Sequence, residues 1–435
     1  MISKAYPKYK PSGVAWLGDL PEHWEVKKLK YSLTLKTQKA LTDKNPIALE
    51  NIEGWTGRFI ETESEFEGDG IAFNSGDILF GKLRPYLAKV YLAEEAGESI
   101  GDIFVLEPTS RVLPRFGAEC LRTKNYIEII DGSTYGSKMP RASWDFMGGL
   151  PFPLPTLPEQ EAIASFLDLE TGRIDSLIAK KERLLELLAE QRTALISRAV
   201  TKGLDATVKL KPSGVAWLGD IPEHWEVKRL KYQVTINDET LPETTDPDYE
   251  LLYVDISSVS PSKGITQKEQ MVFENAPSRA RRNVKDGDTI VSTVRTYLRA
   301  ISPVIDPEEN LIVSTGFAVI RPRKMNKDYL SAAIRAPYFI EEVVSRSVGV
   351  SYPAINASEI GLISIPLPPP SEQEAIAAFL DRETAKIDTL SAKVTTVIDR
   401  LKEYRTALIS SAVTGKIDVS TWVKSGELQE ASHEK

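Results

Sequence analysis

The sequence predicts an α+β chain in which two mixed α/β globules are separated by two long helices, and three observations predict it. First, the chain contains itself twice. Residues 10–31 read KPSGVAWLGDLPEHWEVKKLKY, and residues 211–232 repeat that string with two differences in 22 positions, Leu20 against Ile221 and Lys28 against Arg229. Second, residues 159–201 match residues 372–414 at 27 of 43 positions, both opening EQEAIA and both containing RTALIS. Third, the stretches between these shared blocks have diverged and carry short apolar runs broken by turn residues. A duplicated scaffold with two different inserts suits a molecule that recognises two different things at a fixed separation.

The elements follow in chain order. Residues 1–156 form the first globule, 157–204 the first long helix, 205–369 the second globule, 370–418 the second long helix and 419–435 a polar tail. Within the globules, 76–94 (GDILFGKLRPYLAKVYLAE) and 287–304 (GDTIVSTVRTYLRAISPV) read as strands, with Gly-Asp making the turn into each. Similar runs at 99–106, 250–256 and 311–320 add further strands.

Proline-rich lead-ins, PFPLPTLPEQ and IPLPPPSEQ, end a strand and permit a helix start, with Ser371 as N-cap. Each helix then shows ten seam positions at alternating steps of four and three. The first seam is Ile163, Leu167, Glu170, Ile174, Leu177, Lys181, Leu184, Leu188, Gln191 and Leu195. The second is Ile376, Leu380, Glu383, Ile387, Leu390, Val394, Val397, Leu401, Tyr404 and Leu408. A helix of about 42 residues spans roughly 60 Å, too long for an ordinary core helix. Two equivalent helices in a duplicated chain should be related by an approximate two-fold axis, and pack antiparallel if that axis lies across them. Glu170, Lys181 and Gln191 then either fix orientation within the seam or sit at its edge.

Hydrophobic content of 42% and charged content of 27% are ordinary for a soluble globular protein. No apolar stretch is long enough for a membrane span, and the N-terminus has no signal-peptide core. Cys120 is the only cysteine, so an intramolecular disulfide and a cysteine metal cluster are excluded; a reducing cytoplasm is the expected compartment. The net charge of −8 opposes nucleic-acid binding by the bulk surface. Neither insert is basic: 36–150 carries 13 Lys/Arg against 18 Asp/Glu, and 237–365 carries 14 against 18. A DNA partner therefore requires basic residues gathered on one face, or a second protein that neutralises phosphate.

Catalytic patterns are absent from the sequence. Of the three histidines, His23 and His224 share one repeat position and His433 lies in the tail, with neither metal nor triad spacing. There is no GxxxxGK[ST] loop, and GWTG at 54–57 is not a dinucleotide fingerprint. No Asn-Pro-Pro-aromatic stretch of the adenine methyltransferase type occurs, nor a nuclease carboxylate–lysine cluster. The acidic run at 61–69 reads as a solvated loop. The chain reads as a binding protein.

PKYKPSGVAWLGDLPEHWEVKKLKY, then LRPYLAK, then PLPTLPEQEAIASFLD resembles the specificity subunit of type I restriction-modification systems, over nearly the whole chain and in both halves. The resemblance implies two target-recognition domains, each reading one half of a split double-stranded DNA sequence, and two long helices packed as an antiparallel coiled coil that sets the gap. It implies two methyltransferase subunits docked on the scaffold and two translocating restriction subunits in the full complex. S-adenosylmethionine, ATP and magnesium belong to those partners; this chain binds no cofactor or metal and performs no bond-making chemistry. The helix residues expected to build the spacer and dock partners are Ile163, Leu167, Ile174, Leu177, Leu184, Leu188, Leu195, Ile376, Leu380, Ile387, Leu390, Val394, Leu401 and Leu408.

Residues shared by the two inserts should serve fold or phosphate contact, and residues that differ should read bases. Arg84 aligns with Arg295, Tyr86 with Tyr297 and Leu87 with Leu298. The two arginines either clamp phosphate or brace the fold by pairing with an acid. Arg279, Arg281 and Arg282 form the densest basic cluster, suited to guanine or phosphate, or else an exposed charged loop. Lys82 and Lys89 flank Arg84, and Arg299 follows Arg295. Lys138 and Arg141 lie in GSTYGSKMPRAS, and Arg346 and Tyr352 in the equivalent SRSVGVSYPAINAS. Both loops suit a DNA backbone, although ordinary turns share their composition. Trp16, Trp24, Trp217 and Trp225 belong to the repeated blocks and are expected to pack; Trp55 and Trp144 are unique to the first half, with packing the default. The competing reading is an assembly scaffold that binds two copies of one partner without reading DNA.

Overall fold

A computed structural model describes residues 5–40, 45–62, 70–134, 138–261 and 263–419; the tail beyond, with His433, and most of the acidic run at 61–69 lie outside the described residues. The chain divides into two compact units, Met1–Glu182 with Thr395–Lys435, and Arg183–Val394. Both long helices are present, Leu157–Lys202 and Pro370–Val413, and each passes from one unit to the other. The second opens at Pro370, so Ser371 is not its N-cap but lies in its first turn. Proline suits the first helical position because its missing N–H would have no partner there.

The first unit contains a four-stranded antiparallel sheet with Ile103–Pro108 between Leu33–Lys36 and Ile78–Gly81, and Val90–Leu92 at one edge. A small sheet joins Pro46–Ile47, Gly97–Ser99 and Ile71–Phe73. The second unit repeats the four-stranded sheet with Val234–Ile236, Phe317–Pro322, Thr289–Ser292 and Ile301–Pro303. Its insert then diverges into a second four-stranded sheet in which Glu250–Val254 runs parallel to Leu311–Ser314, with Ala280–Asn283 at one edge. The Gly-Asp turns form as predicted. Gly76 and Gly287 take φ of +89° and +85°, and the buried Asp77 and Asp288 accept the backbone N–H three residues earlier at 2.7 Å.

The repeated blocks bind helix ends, which explains why they scarcely differ. Trp24 and Trp225 are fully buried. In the first unit the Trp24 indole N–H donates to Glu159 at 3.2 Å and His23 Nε2 lies 2.7 Å from the same carboxylate. In the second, Trp225 donates to Glu372 at 2.9 Å and His224 Nε2 stands 2.6 Å away. Each block also meets the end of the other long helix. A Cβ on Gly415, at φ +67°, would overlap the Pro21 ring and stand 3.2 Å from the Trp24 ring, and one on Gly203, at φ +75°, would stand 3.3 Å from Trp225. Glycine suits both positions because the backbone is left-handed and the repeated block, through Pro21 and Trp24 or through Trp225, crowds the place of a side chain. The adjoining Gln160 and Gln373 are buried and accept the N–H of Leu113 and of Asn326, at 2.7 and 2.9 Å, which ties each helix start to the globule's own helices.

The helix seams differ from the sequence expectation at alternate positions. Ile163, Leu167, Ile174, Leu188, Ile376, Leu380, Ile387, Val394 and Leu408 are buried, and Leu184, Leu195 and Leu401 are half-buried. Leu177 and Leu390, however, are 46% and 44% exposed, while Ile178 is 9% exposed; Val397 and Tyr404 are likewise exposed, and Ile398 is buried in place of Val397. The step pattern survives with every second position moved on by one residue. The reason is polar. Arg405 Nε donates to Asp175 at 3.0 Å with both side chains largely buried, and Arg192 Nε lies 3.3 Å from Asp388, so arginine takes the seam position next to the expected Gln191 and Tyr404.

Candidate nucleic-acid interface

Both units present one strained hairpin tip. In the first, the chain leaves the strand Ile78–Gly81, turns through Arg84, makes a single 3-10 turn over Pro85–Leu87, and returns through Ala88. In the second it leaves Thr289–Ser292 and passes Arg295, the turn Thr296–Leu298 and Arg299. All four flanking residues are left-handed, with φ of 52° and 48° in the first tip and 50° and 51° in the second. A non-glycine residue pays roughly 1–2 kcal/mol to sit there. The same cost met at equivalent positions of two diverged inserts marks a shape that is kept. It exposes Tyr86 and Leu87 in one unit and Tyr297 and Leu298 in the other, beside an exposed Arg84 or Arg295.

A second loop pairs with each tip, so the structure brings together the two loop sets read from the sequence. In the first unit Arg84 N–H donates to Pro140 and Ala142 N–H to Lys82, each at 2.8 Å. In the second, Ile355 N–H donates to Thr293 at 2.8 Å, and Thr296 Oγ1 to Ser347 at 2.8 Å. The paired loop of the second unit is open to solvent, with Val348, Val350 and Tyr352 at 81%, 101% and 67% exposure. Residues 135–137 of the corresponding first-unit loop lie outside the described residues.

Charge sorts the candidates. Arg84 and the exposed Lys138 have no acidic partner among the described residues. Arg295 also lacks one and stacks over the Tyr352 ring at 5.1 Å, an arrangement that holds the guanidinium flat at the surface. Others already have partners. Arg141 makes a forked contact to Asp102 at 2.9–3.1 Å and Lys82 approaches the same carboxylate at 3.6 Å; the Arg141 hydrogen bond holds that carboxyl below its usual range. Arg346 pairs with Glu342 at 2.5 Å, Arg299 with Glu341 at 2.7 Å, and Lys89 donates to the Leu49 carbonyl at 2.6 Å.

The basic cluster splits three ways. Arg279 is exposed and 3.8 Å from Asp255; Arg281 lies over Phe273 at 4.4 Å; Arg282 is half-buried against Thr240 at 3.2 Å, and burial lowers its pKa. Backbone hydrogen bonds tie Arg279 to the end of the unit that carries the hairpin tip. Its carbonyl accepts Thr315 N–H at 2.7 Å, and Gly316 accepts Thr293 N–H at 2.8 Å. Among the tryptophans, Trp16 packs edge-on against Tyr126 and Trp217 stacks on Tyr338. Trp144 meets Phe104, and Trp55 is 38% exposed in a left-handed conformation beside the first tip, its N–H bonded to the Ala88 carbonyl at 3.0 Å. Sequence reasoning did not single out Val348 and Val350, because isolated apolar residues in a Gly/Ser-rich stretch carry no signal of their own. Among the described residues no group of three or more His, Cys, Asp or Glu side chains is placed to hold a metal ion, and no helix is long and apolar enough to cross a membrane.

Comparison with known proteins points to one family. Residues 222–400 match the type I restriction modification DNA specificity domain. The chain is similar to the type I restriction-modification specificity subunits. It is 23% identical over 444 residues to the MjaVIII specificity subunit of Methanocaldococcus jannaschii, covering 92% of this chain and 94% of that protein. It is 20% identical over 415 residues to the EcoDI specificity subunit of Escherichia coli, covering 92% and 90%. The fold is similar to a chain solved in a study of complex assembly and conformational transition of the type I R-M system, with TM-score 0.69, 18% identity, and coverage of 92% of this chain and 99% of that one. The HsdS subunit of Thermoanaerobacter tengcongensis gives 0.50 at 18% identity, covering 92% and 98%.

Proposed function

We propose that this specificity subunit reads a bipartite, gapped DNA target, one half-site per unit, and does so through the hairpin tip and the loop paired with it. The observation that carries the reading is the duplicated tip, an exposed arginine without an acidic partner beside an exposed tyrosine and leucine, built at the cost of two left-handed residues in each of two diverged inserts. Arg84 and Arg295, common to both units, suit phosphate; the residues around them that differ, Lys138 and Met139 against Val350 and Tyr352, suit base edges. With a net charge of −8, these few cations orient the chain on DNA, and most phosphate neutralisation falls to partner subunits.

The spacer is an antiparallel two-helix coiled coil with approximate two-fold symmetry. Two facts support this. Asp175 pairs with Arg405 and Glu182 approaches Lys402, so numbers fall on one helix as they rise on the other. Asp388 and Arg192, the counterparts of Asp175 and Arg405 in the shared 43-residue block, form the same pair in the second unit. Globules 1–156 and 205–369 are the target-recognition domains, flanked by helices 157–204 and 370–418. The chain works in the cytoplasm with two methyltransferase and two restriction subunits, which bring S-adenosylmethionine, ATP and magnesium; it catalyses nothing itself. The test is genome-wide mapping of methylated adenine in cells expressing this chain with its methyltransferase subunit. A split motif that disappears on deleting this chain, and in which Arg295→Ala weakens methylation at every site alike, is expected. A stable complex that methylates no motif would leave an assembly scaffold as the function.

A further inference from the structure

The duplication supplies an internal control for a pair of arginines that the DNA-reading surface does not use. Arg122 and Arg335 occupy the same position, 213 residues apart, the offset of the long-helix blocks. Each ends a short helix and donates Nε to the carbonyl four residues earlier, Ala118 at 3.4 Å and Ser331 at 3.1 Å. In the first unit the rest of the guanidinium is closed. Nη2 pairs with Glu119 at 2.6 Å and Nη1 donates to the Thr56 carbonyl. In the second unit the residue equivalent to Glu119 is Ala332, and among the described residues Arg335 has no carboxylate partner. The neighbouring helix arginine follows suit. Arg405 Nε is hydrogen-bonded to Asp175 and its Nη1 reaches the Trp55 carbonyl at 3.3 Å, whereas the buried Arg192 Nε, 3.3 Å from Asp388, makes no hydrogen bond.

Space lies where those acceptors are missing. Arg192, Arg299 and Arg335 line a cavity of about 200 Å³, and Arg192 and Arg335 also line one of about 380 Å³ with Lys263 and Lys268. At roughly 30 Å³ for a water molecule, the smaller cavity accommodates a tetrahedral oxyanion. Glu341 neutralises Arg299 and Asp388 lies beside Arg192, so Arg335 is the cation left over. Burial, with a smaller contribution from Arg192, lowers its pKa to about 10, against an opposing pull from the Asp388 carboxylate, which lines the larger cavity but makes no hydrogen bond to Arg335. A desolvated cation with no carboxylate in direct contact is unfavourable, and an anion at that place relieves the cost.

We propose that the second unit holds a small phosphate-type oxyanion on Arg335 and Arg192, seated where the Glu119 carboxylate closes the equivalent arginine of the first unit. The bound anion joins the end of a globule helix to the long helix within that unit, a brace that the Trp55 and Thr56 carbonyls provide in the other. Its half-buried place in a cavity suits a free oxyanion and not the backbone of a duplex.

The test is calorimetric titration of the full chain with inorganic phosphate in phosphate- and sulfate-free buffer. One site per chain is expected. Ala332→Glu, which restores the carboxylate of the first unit, and Arg335→Met should each weaken binding about tenfold or more, the loss of a charge-assisted fork. Ala332→Glu should in addition raise the thermal midpoint in the absence of phosphate, which a misfolded variant would not do. A flat titration of the unmodified chain, or affinity unchanged in both variants, overturns the proposal. So does a parallel loss of duplex-DNA affinity in Arg335→Met, which would make a DNA phosphate the ligand.

Discussion

Glu159 and Glu372 are the residues on which the repeated sequence turns, because each holds an indole N–H and an imidazole against the start of a long helix. Burial pushes the Glu159 carboxyl up, but hydrogen bonds from His23, Thr156 and Trp24 outweigh it and leave the pKa below the usual 4.5. A carboxyl depressed on folding adds stability that is present above its unfolded pKa and is lost as pH falls through the folded one. Glu159→Gln should therefore cost about 1–3 kcal/mol at pH 7, since Trp24 keeps its burial and loses a charged acceptor. Denaturant titration at a series of pH values checks this: the gap between wild type and variant should close below about pH 4.5. A gap constant down to about pH 3 would mean that the carboxylate charge contributes nothing. At this scale the sequence placed His23 and Trp24 as scaffold, but the Glu159 contact was hidden, since 135 residues separate indole and carboxylate.

The long helices show what periodicity can and cannot resolve. Their existence, length class and seam spacing were legible, because ten apolar-rich positions at a mean step of about 3.5 admit no strand or loop. The phase was not, because Leu177-Ile178 and Leu184-Leu185 offer two adjacent apolar residues each. The ion pair chose between them, and ion pairs across 230 residues leave no local signal. Asp175→Ala should cost about 3 kcal/mol, because it strands a largely buried Arg405 and also removes the partner of Arg58. In a double-mutant cycle by urea unfolding, Asp175→Ala and Arg405→Ala should couple by more than about 1 kcal/mol. The counterpart Arg192 and Asp388 should couple by less than that, since Asp388 is 59% exposed. Equal coupling energies would mean that the two pairs are buried alike in solution. The hairpin tips were half legible in the same way. Aligned Arg84 and Arg295 pointed to them, whereas the partition of nearby cations into free and neutralised depends on acids such as Asp102 and Glu342, brought in by the fold.

On the proposed function the duplication supplies two readers and one spacer, with separate roles. Each repeated block grips the start of one long helix and the end of the other, through Glu159 and Gly415 in one unit and Glu372 and Gly203 in the other. The unit boundaries fall within the two long helices, and on the proposed function the length of those helices sets the distance between half-sites without touching the residues that read bases. Four residues inserted after Leu188 and four after its counterpart Leu401 extend both helices by about 6 Å. That is close to two base pairs of duplex at about 3.4 Å each. The methylated motif of the lengthened subunit should therefore show a gap longer by about one or two base pairs, with the bases of both half-sites unchanged. Methylome sequencing reads the gap and the bases together. A changed base within either half-site would show that the helices shape the reading surface itself, and an unchanged gap would show that the distance is fixed by the partner subunits.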